Sequence, residues 1–130
     1  MPHILVVEDD KLTAQLFEII LKRRGKFDVT VTDDGDKIME ILNSGNVDLI
    51  IMDVSLSGTI VNGSQVDGIK LSKMIKENER TAKIPIILAT AHAMRGDAER
   101  FLEESKADDY ISKPITDHNF LIEKIKRFLK

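Results

Sequence analysis

The chain reads as an α/β protein, a parallel sheet with helices on both faces, and three observations predict it. Short, almost wholly apolar runs recur at residues 4–7, 47–52 and 84–89, as strands buried on both faces require. Between them, apolar residues fall three and four apart, the spacing of amphipathic helices. The two kinds of segment alternate along the chain, which is the signature of crossover units around a parallel sheet.

Each element follows from its own residues. Residues 4–7 form a strand too short and too apolar for the surface. Leu12, Leu16, Phe17, Ile20 and Leu21 mark a first helix between the acids at 8–10 and Gly25, which sits where a helix C-terminal glycine belongs. Val29 and Val31 alternate with Thr30 and Thr32, the pattern of a half-covered edge strand, before Asp33-Asp34-Gly35 turns the chain. Ile38, Ile41 and Leu42 give a second helix that stops at Ser44-Gly45, and 47–52 is a third strand. Residues 55–65 are rich in turn formers without a sustained period, so a loop is expected there. Ile69, Met74 and Ile75 place a third helix reaching about Arg80, and 84–89 is the fourth strand, with Pro85 tolerated at its start. Met94, Ala98, Phe101 and Leu102 line a fourth helix. Tyr110-Ile111-Ser112 is a short fifth strand, and Phe120, Leu121, Ile125, Phe128 and Leu129 form a closing amphipathic helix. A chain of 130 residues is filled by these five units, so a single domain over 1–130 with no output domain is expected.

The bulk properties narrow the function. Acidic residues number 22 and basic residues 19, mixed to a net charge of -3, with no basic block that would mark direct nucleic-acid binding. Cysteine is absent, which excludes a disulfide framework and thiolate metal sites and makes the cytoplasm the expected compartment. The amino terminus meets acids after four apolar residues, too few for a signal sequence or a membrane span.

In an open parallel sheet, ligands bind beyond the carboxyl ends of the strands. Those ends carry Glu8, Asp9 and Asp10 from the first strand, Asp53 from the third, Thr90 from the fourth and Lys113 from the fifth. Each has an ordinary structural use taken alone: the acids as helix caps, Asp53 as a turn former, Thr90 as a cap, Lys113 as a solvated lysine. Four successive strand ends delivering reactive groups together point to a site. Clustered carboxylates raise one another's proton affinity unless a cation sits among them. Oxygen ligands without histidine or sulfur select a hard ion, Mg²⁺ above all, with Mn²⁺ as a substitute. A screened Asp53 could then attack phosphorus, with Lys113 as a second positive charge and Thr90 as a hydroxyl donor.

At residues 4–10, 49–53, 67–68, 89–91 and 108–114 the chain resembles the receiver domains of bacterial response regulators in two-component systems, in the family's order and over its whole length. The resemblance implies a flavodoxin-like (CheY-like) five-stranded parallel sheet of order 2-1-3-4-5 with five helices. It implies Asp53 as phosphoacceptor and Asp9 as a direct Mg²⁺ ligand. It gives Glu8 as the acid holding the metal through water, and the backbone carbonyl of Ser55 as a further ligand. Thr90 then resembles the switch hydroxyl, Lys113 the phosphate-pairing lysine, with a cis bond to Pro114, and Tyr110 the aromatic that follows the threonine inward. The implied partners are a sensor histidine kinase or a histidine phosphotransfer protein and a downstream protein target. Homodimerisation through helix 4, strand 5 and helix 5 is compatible with such folds.

The match has departures. The segment between Asp53 and Asp67-Gly68 is longer than the family's usual one, and Ser57 stands where proline is common. Ile60 and Val61 within it either tuck onto the domain or meet a partner. Lys106 replaces a frequent glycine, and Ser55 and His92 occupy positions that influence phosphoryl lifetime in the family. A haloacid-dehalogenase-type phosphatase would need a second aspartate where Ser55 stands, and a flavodoxin-like cofactor site would be repelled by the acids at 8–10. A pseudo-receiver acting only as a docking module stays as the alternative, as does the choice between relay intermediate and terminal effector.

Overall fold

In the computed structural model, which describes residues 1–91 and 97–129, all the expected strands and helices form. Strand β1 (His3–Val7) leads into α1 (Lys11–Arg23), β2 (Asp28–Thr32), α2 (Gly35–Asn43) and β3 (Leu49–Asp53). A small pair, β4 (Ile60–Val61) and β5 (Ser64–Gln65), precedes α3 (Gly68–Glu77), β6 (Ile86–Thr90), α4 (Asp97–Ser105), β7 (Asp109–Ser112) and α5 (His118–Phe128). The main sheet has the order β2-β1-β3-β6-β7 and every pairing in it is parallel. Counting only its own five strands, that is 2-1-3-4-5. His92 and Met94 lie outside the described residues.

Both faces of the sheet are covered, so its three inner strands, β1, β3 and β6, are apolar at nearly every position. Leu5, Val7, Ile50, Met52, Ile86 and Leu88 face α2, α3 and α4. Their neighbours Ile4, Val6, Leu49, Ile51, Ile87 and Ala89 face α1 and α5. Side chains alternate across a strand, and here each alternation meets a hydrophobic cluster. A fully buried Leu or Ile contributes about 1.5–3 kcal/mol over an exposed one, which fixes the register of β1 and β3. A one-residue slip would send each apolar set to the opposite face and carry the strand ends with it.

The helices begin where short acids can cap them. Asp10, Asp34, Asp67 and Asp117 accept from backbone amides in the first turns of α1, α2, α3 and α5, satisfying donors that the helix itself leaves free.

Several local expectations need correction. Leu12 is not part of the core side of α1 but is 77% exposed. Gly25 does not supply the left-handed turn after α1; Lys26 does, at φ 56°. A Cβ at Gly25 would lie 2.5 Å from the Phe27 ring, so its smallness serves packing. Helix α3 ends at Glu77 rather than near Arg80, capped by Asn78 in an extended conformation. The expected loop after Asp53 contains the β4–β5 hairpin, turned by Asn62 (φ 53°) and Gly63 (φ 80°), an Asn-Gly pair suited to a two-residue turn. Val61 is 2% exposed and Ile60 55%, so only one of the two tucks onto the domain.

Candidate functional site

Parallel pairing brings the strand ends to one edge of the sheet. Val7 lies opposite Met52, and Asp53 lies opposite Ala89, so the residues after Val7 stand beside Asp53 and Thr90 follows on its other side. The α3 N-terminus closes onto this edge at Gly68, where a Cβ would fall 1.8 Å from the Asp53 carbonyl oxygen. Only glycine allows that approach without moving backbone.

Glu8 and Asp53 are buried, and a lysine joins them. The Lys113 Nζ lies 3.0 Å from Glu8 Oε1 and 3.0 Å from Asp53 Oδ1. The Ser55 amide donates to Asp53 Oδ1 at 3.1 Å. One carboxylate oxygen each from Glu8, Asp9 and Asp53 falls within 4.8 Å of the others, the one such acidic group among the described residues. The sequence thus led to the three acids and the lysine that the fold brings together. Asp10 departs from them: it caps α1, taking the Thr13 amide at 3.0 Å and the Thr13 hydroxyl at 2.5 Å. Those bonds, the hydroxyl's first, hold its pKa below the ordinary value.

Burial and charge set the two inner carboxylates apart. Burial first, then the adjacent Asp53, pushes Glu8 up to about 7, against the pull of Lys113. Asp53 is also buried, but hydrogen bonds with Glu8, Lys113 and the Ser55 amide outweigh this and hold it below the usual carboxylate value. Lys113 is likewise buried, yet its bonds to Asp53 and Glu8 keep its pKa above that of a free lysine. Of the two acids, Glu8 is therefore the one that takes up a proton first as pH falls through neutrality, while Asp53 stays charged.

Thr90 is 1% exposed at the end of β6, and its carbonyl accepts the Lys113 amide at 2.8 Å. Lys113–Pro114 is cis. Tyr110 sits half-buried on β7, beneath a lysine that sequence reasoning missed. Lys124 Nζ bonds the Tyr110 carbonyl at 2.9 Å, pairs with Asp109 at 3.2 Å and lies 5.6 Å from the Tyr110 ring centre. A second omission is Ser57, whose amide and hydroxyl both donate to Asp9 Oδ2, at 3.1 and 3.0 Å. Its role has no signal in the sequence beyond the missing proline.

Residues 4–126 match the response regulator receiver domain family. The chain belongs to that family. Receivers are signalling switches of two-component systems rather than classical enzymes. This receiver is 34% identical over 126 residues to the polar-differentiation response regulator DivK of Brucella ovis, covering 97% of this chain and 94% of that one. Among solved structures it is similar to the receiver domain of the sensor histidine kinase PA1611 from Pseudomonas aeruginosa, which has a magnesium ion coordinated in its active-site cleft. That match has a TM-score of 0.80 at 29% identity and covers 98% and 97% of the two chains. The chemotaxis protein CheY4 of Vibrio cholerae shares the fold, with a TM-score of 0.81 at 20% identity over 99% of each chain. Among the described residues no helix is long and apolar enough to cross a membrane.

Proposed function

We propose that this receiver accepts a phosphoryl group on Asp53 from a phosphohistidine donor, a sensor kinase or a phosphotransfer protein, in the presence of Mg²⁺. The observation that carries the reading is the Lys113 ammonium 3.0 Å from Asp53 Oδ1, beside an acidic trio whose oxygens lie within 4.8 Å of one another. An Asp53 oxygen attacks phosphorus, the P–N bond of the donor breaks, and its electron pair returns to the imidazole. The product is an acyl phosphate. Asp53, depressed below the ordinary carboxylate value, is ionised and ready to attack at neutral pH.

The donor set fits a hard divalent cation: three carboxylates and no nitrogen or sulfur ligand, as Mg²⁺ prefers. Asp9, Asp53 and the Ser55 carbonyl would hold it, with Glu8 through water, and Mn²⁺ would substitute. When bound it neutralises charge on the phosphoryl oxygens. Lys113 pairs with the same oxygens once they arrive, and Thr90 offers its hydroxyl. Movement of Thr90 and Tyr110 toward the new charge then biases the surface of α4, β7 and α5, which a downstream protein reads. The magnesium seen in the cleft of the PA1611 receiver supports this reading.

Incubation with labelled acetyl phosphate and Mg²⁺ tests it. The wild type should take up label, and Asp53→Asn, folded as judged by circular dichroism, should take up none. Equal labelling of the two proteins refutes Asp53 as acceptor, and no labelling of either leaves a docking module.

A further inference from the structure

The segment between Asp53 and α3 ends against an acid of the pocket. We propose that Ser57 is a positioning residue for Asp9, held in place by the β4–β5 hairpin, and that it thereby sets the affinity of the acidic pocket for a divalent cation. The proposal rests on the reading above that Asp9 helps to hold that cation.

A path of bonds runs from the body of the domain to Asp9. The hairpin is seated on the start of α2: the Thr59 hydroxyl donates to the Asp33 carbonyl at 2.8 Å, and the Ile60 carbonyl oxygen occupies the space where a Gly35 Cβ would lie, 1.9 Å away. Thr59 and Val61 are buried there. The Val66 amide bonds the Thr59 carbonyl at 2.9 Å, closing the hairpin. From β5 the Gln65 side-chain amide donates to the Ser57 carbonyl. Ser57 then directs both its donors to a single oxygen of Asp9, at 3.1 and 3.0 Å.

Asp9 needs such support more than its neighbours. Lys113 ties down Glu8 and Asp53, and both are buried, whereas Asp9 stands partly exposed at the rim. A carboxylate free to rotate must give up that freedom when a cation binds. Two donors on Oδ2 fix it beforehand and leave its other oxygen uncommitted to Ser57. Partners that orient metal ligands are worth about 10–100-fold in metal affinity. Ser57→Ala removes one donor and keeps the amide, so a weakening near the low end, about tenfold, is expected.

The test is calorimetric titration of the whole chain with MgCl₂, alongside thermal melting without metal. Ser57→Ala should bind Mg²⁺ about tenfold more weakly with an unchanged metal-free melting temperature. Ser57→Thr, which keeps the hydroxyl, should restore binding, and Gln65→Ala should weaken it in the same direction by less. Wild-type affinity in Ser57→Ala, tighter binding, or no rescue by threonine overturns the proposal. Asp9→Asn separates the two levels of the argument. If it loses Mg²⁺ while Ser57→Ala does not, the positioning role alone fails; if it binds like the wild type, or the wild type binds nothing, the metal reading fails and takes the proposal with it.

Discussion

Glu8 should make the stability of the metal-free protein fall as pH rises through neutrality. Its pKa is pushed from 4.5 to about 7, by burial first and by Asp53 second. An acid raised in the folded state binds its proton more tightly there, so its stabilisation is fully present below pH 4.5 and is lost as pH climbs through 7. Each pH unit between the two values is worth about 1.4 kcal/mol, so Glu8 withdraws about 3 kcal/mol in all, of which about 2–3 kcal/mol falls between pH 5 and 8. Asp53 does not contribute to that slope: lowered below 3.8, it stabilises above that pH and loses the contribution only in stronger acid. Urea unfolding in EDTA at pH 5, 6, 7 and 8 measures the effect, with Glu8→Gln as the reference. The difference between the two proteins cancels the three histidines and should shrink or reverse by about 2–3 kcal/mol in the wild type's disfavour. Parallel curves would refute the assignment of the bound proton to Glu8. Saturating Mg²⁺ should flatten the wild-type slope, because a cation in the pocket favours the ionised acid.

Two further substitutions probe the frame around the site. Gly68→Ala places a Cβ 1.8 Å from the Asp53 carbonyl oxygen and 2.9 Å from Val54 Cα. Backbone must then move, at a cost of about 2–3 kcal/mol in urea unfolding, with slower labelling from acetyl phosphate; unaltered stability would contradict the close approach of α3 to β3. Lys106→Gly relieves a left-handed residue at φ 60°, while its exposed ion pair with Glu77 contributes little. A gain of about 0.5–1 kcal/mol is expected in the same assay.

The sheet was legible in the sequence because burial on both faces leaves a strand no choice but to be apolar. The runs around Leu5, Ile50 and Leu88 therefore announced themselves, and the acids and lysine that follow them mark strand ends by contrast. What escaped notice depends on contacts between distant segments. The β4–β5 hairpin has strands of two residues, too short to show a period, although Asn62-Gly63 is the pair that a tight hairpin turn favours. Leu12 has helical spacing, yet it stands 77% exposed, since spacing alone does not say how wide the covered stripe is. Lys124 reads as a surface lysine on α5, and only the register of α5 against β7 shows it buried over Asp109 and Tyr110. Pairing of Glu8 with Lys113 could not be read across a sequence separation of 105, because it is set by strand order.

Strand order also accounts for which residue types stand at each end of the site. Neighbouring strands lie about 4.8 Å apart, and β1 and β6 both flank β3 directly. Short side chains suffice there, and Glu8, Asp9 and Thr90 occupy those ends. β7 is two strands from β3, roughly 10 Å at the same spacing, beyond the reach of a threonine or an aspartate. A positive group entering from that side must be carried on a long stem, and lysine supplies one whose apolar methylenes tolerate burial while the ammonium reaches its partners. The Nζ of Lys113 completes that crossing, meeting Asp53 of β3 and Glu8 beyond β1 at 3.0 Å each. Moving the positive charge to β6, or the hydroxyl to β7, would leave one crowded and the other short, so this fold admits the chemistry in one arrangement of side-chain lengths.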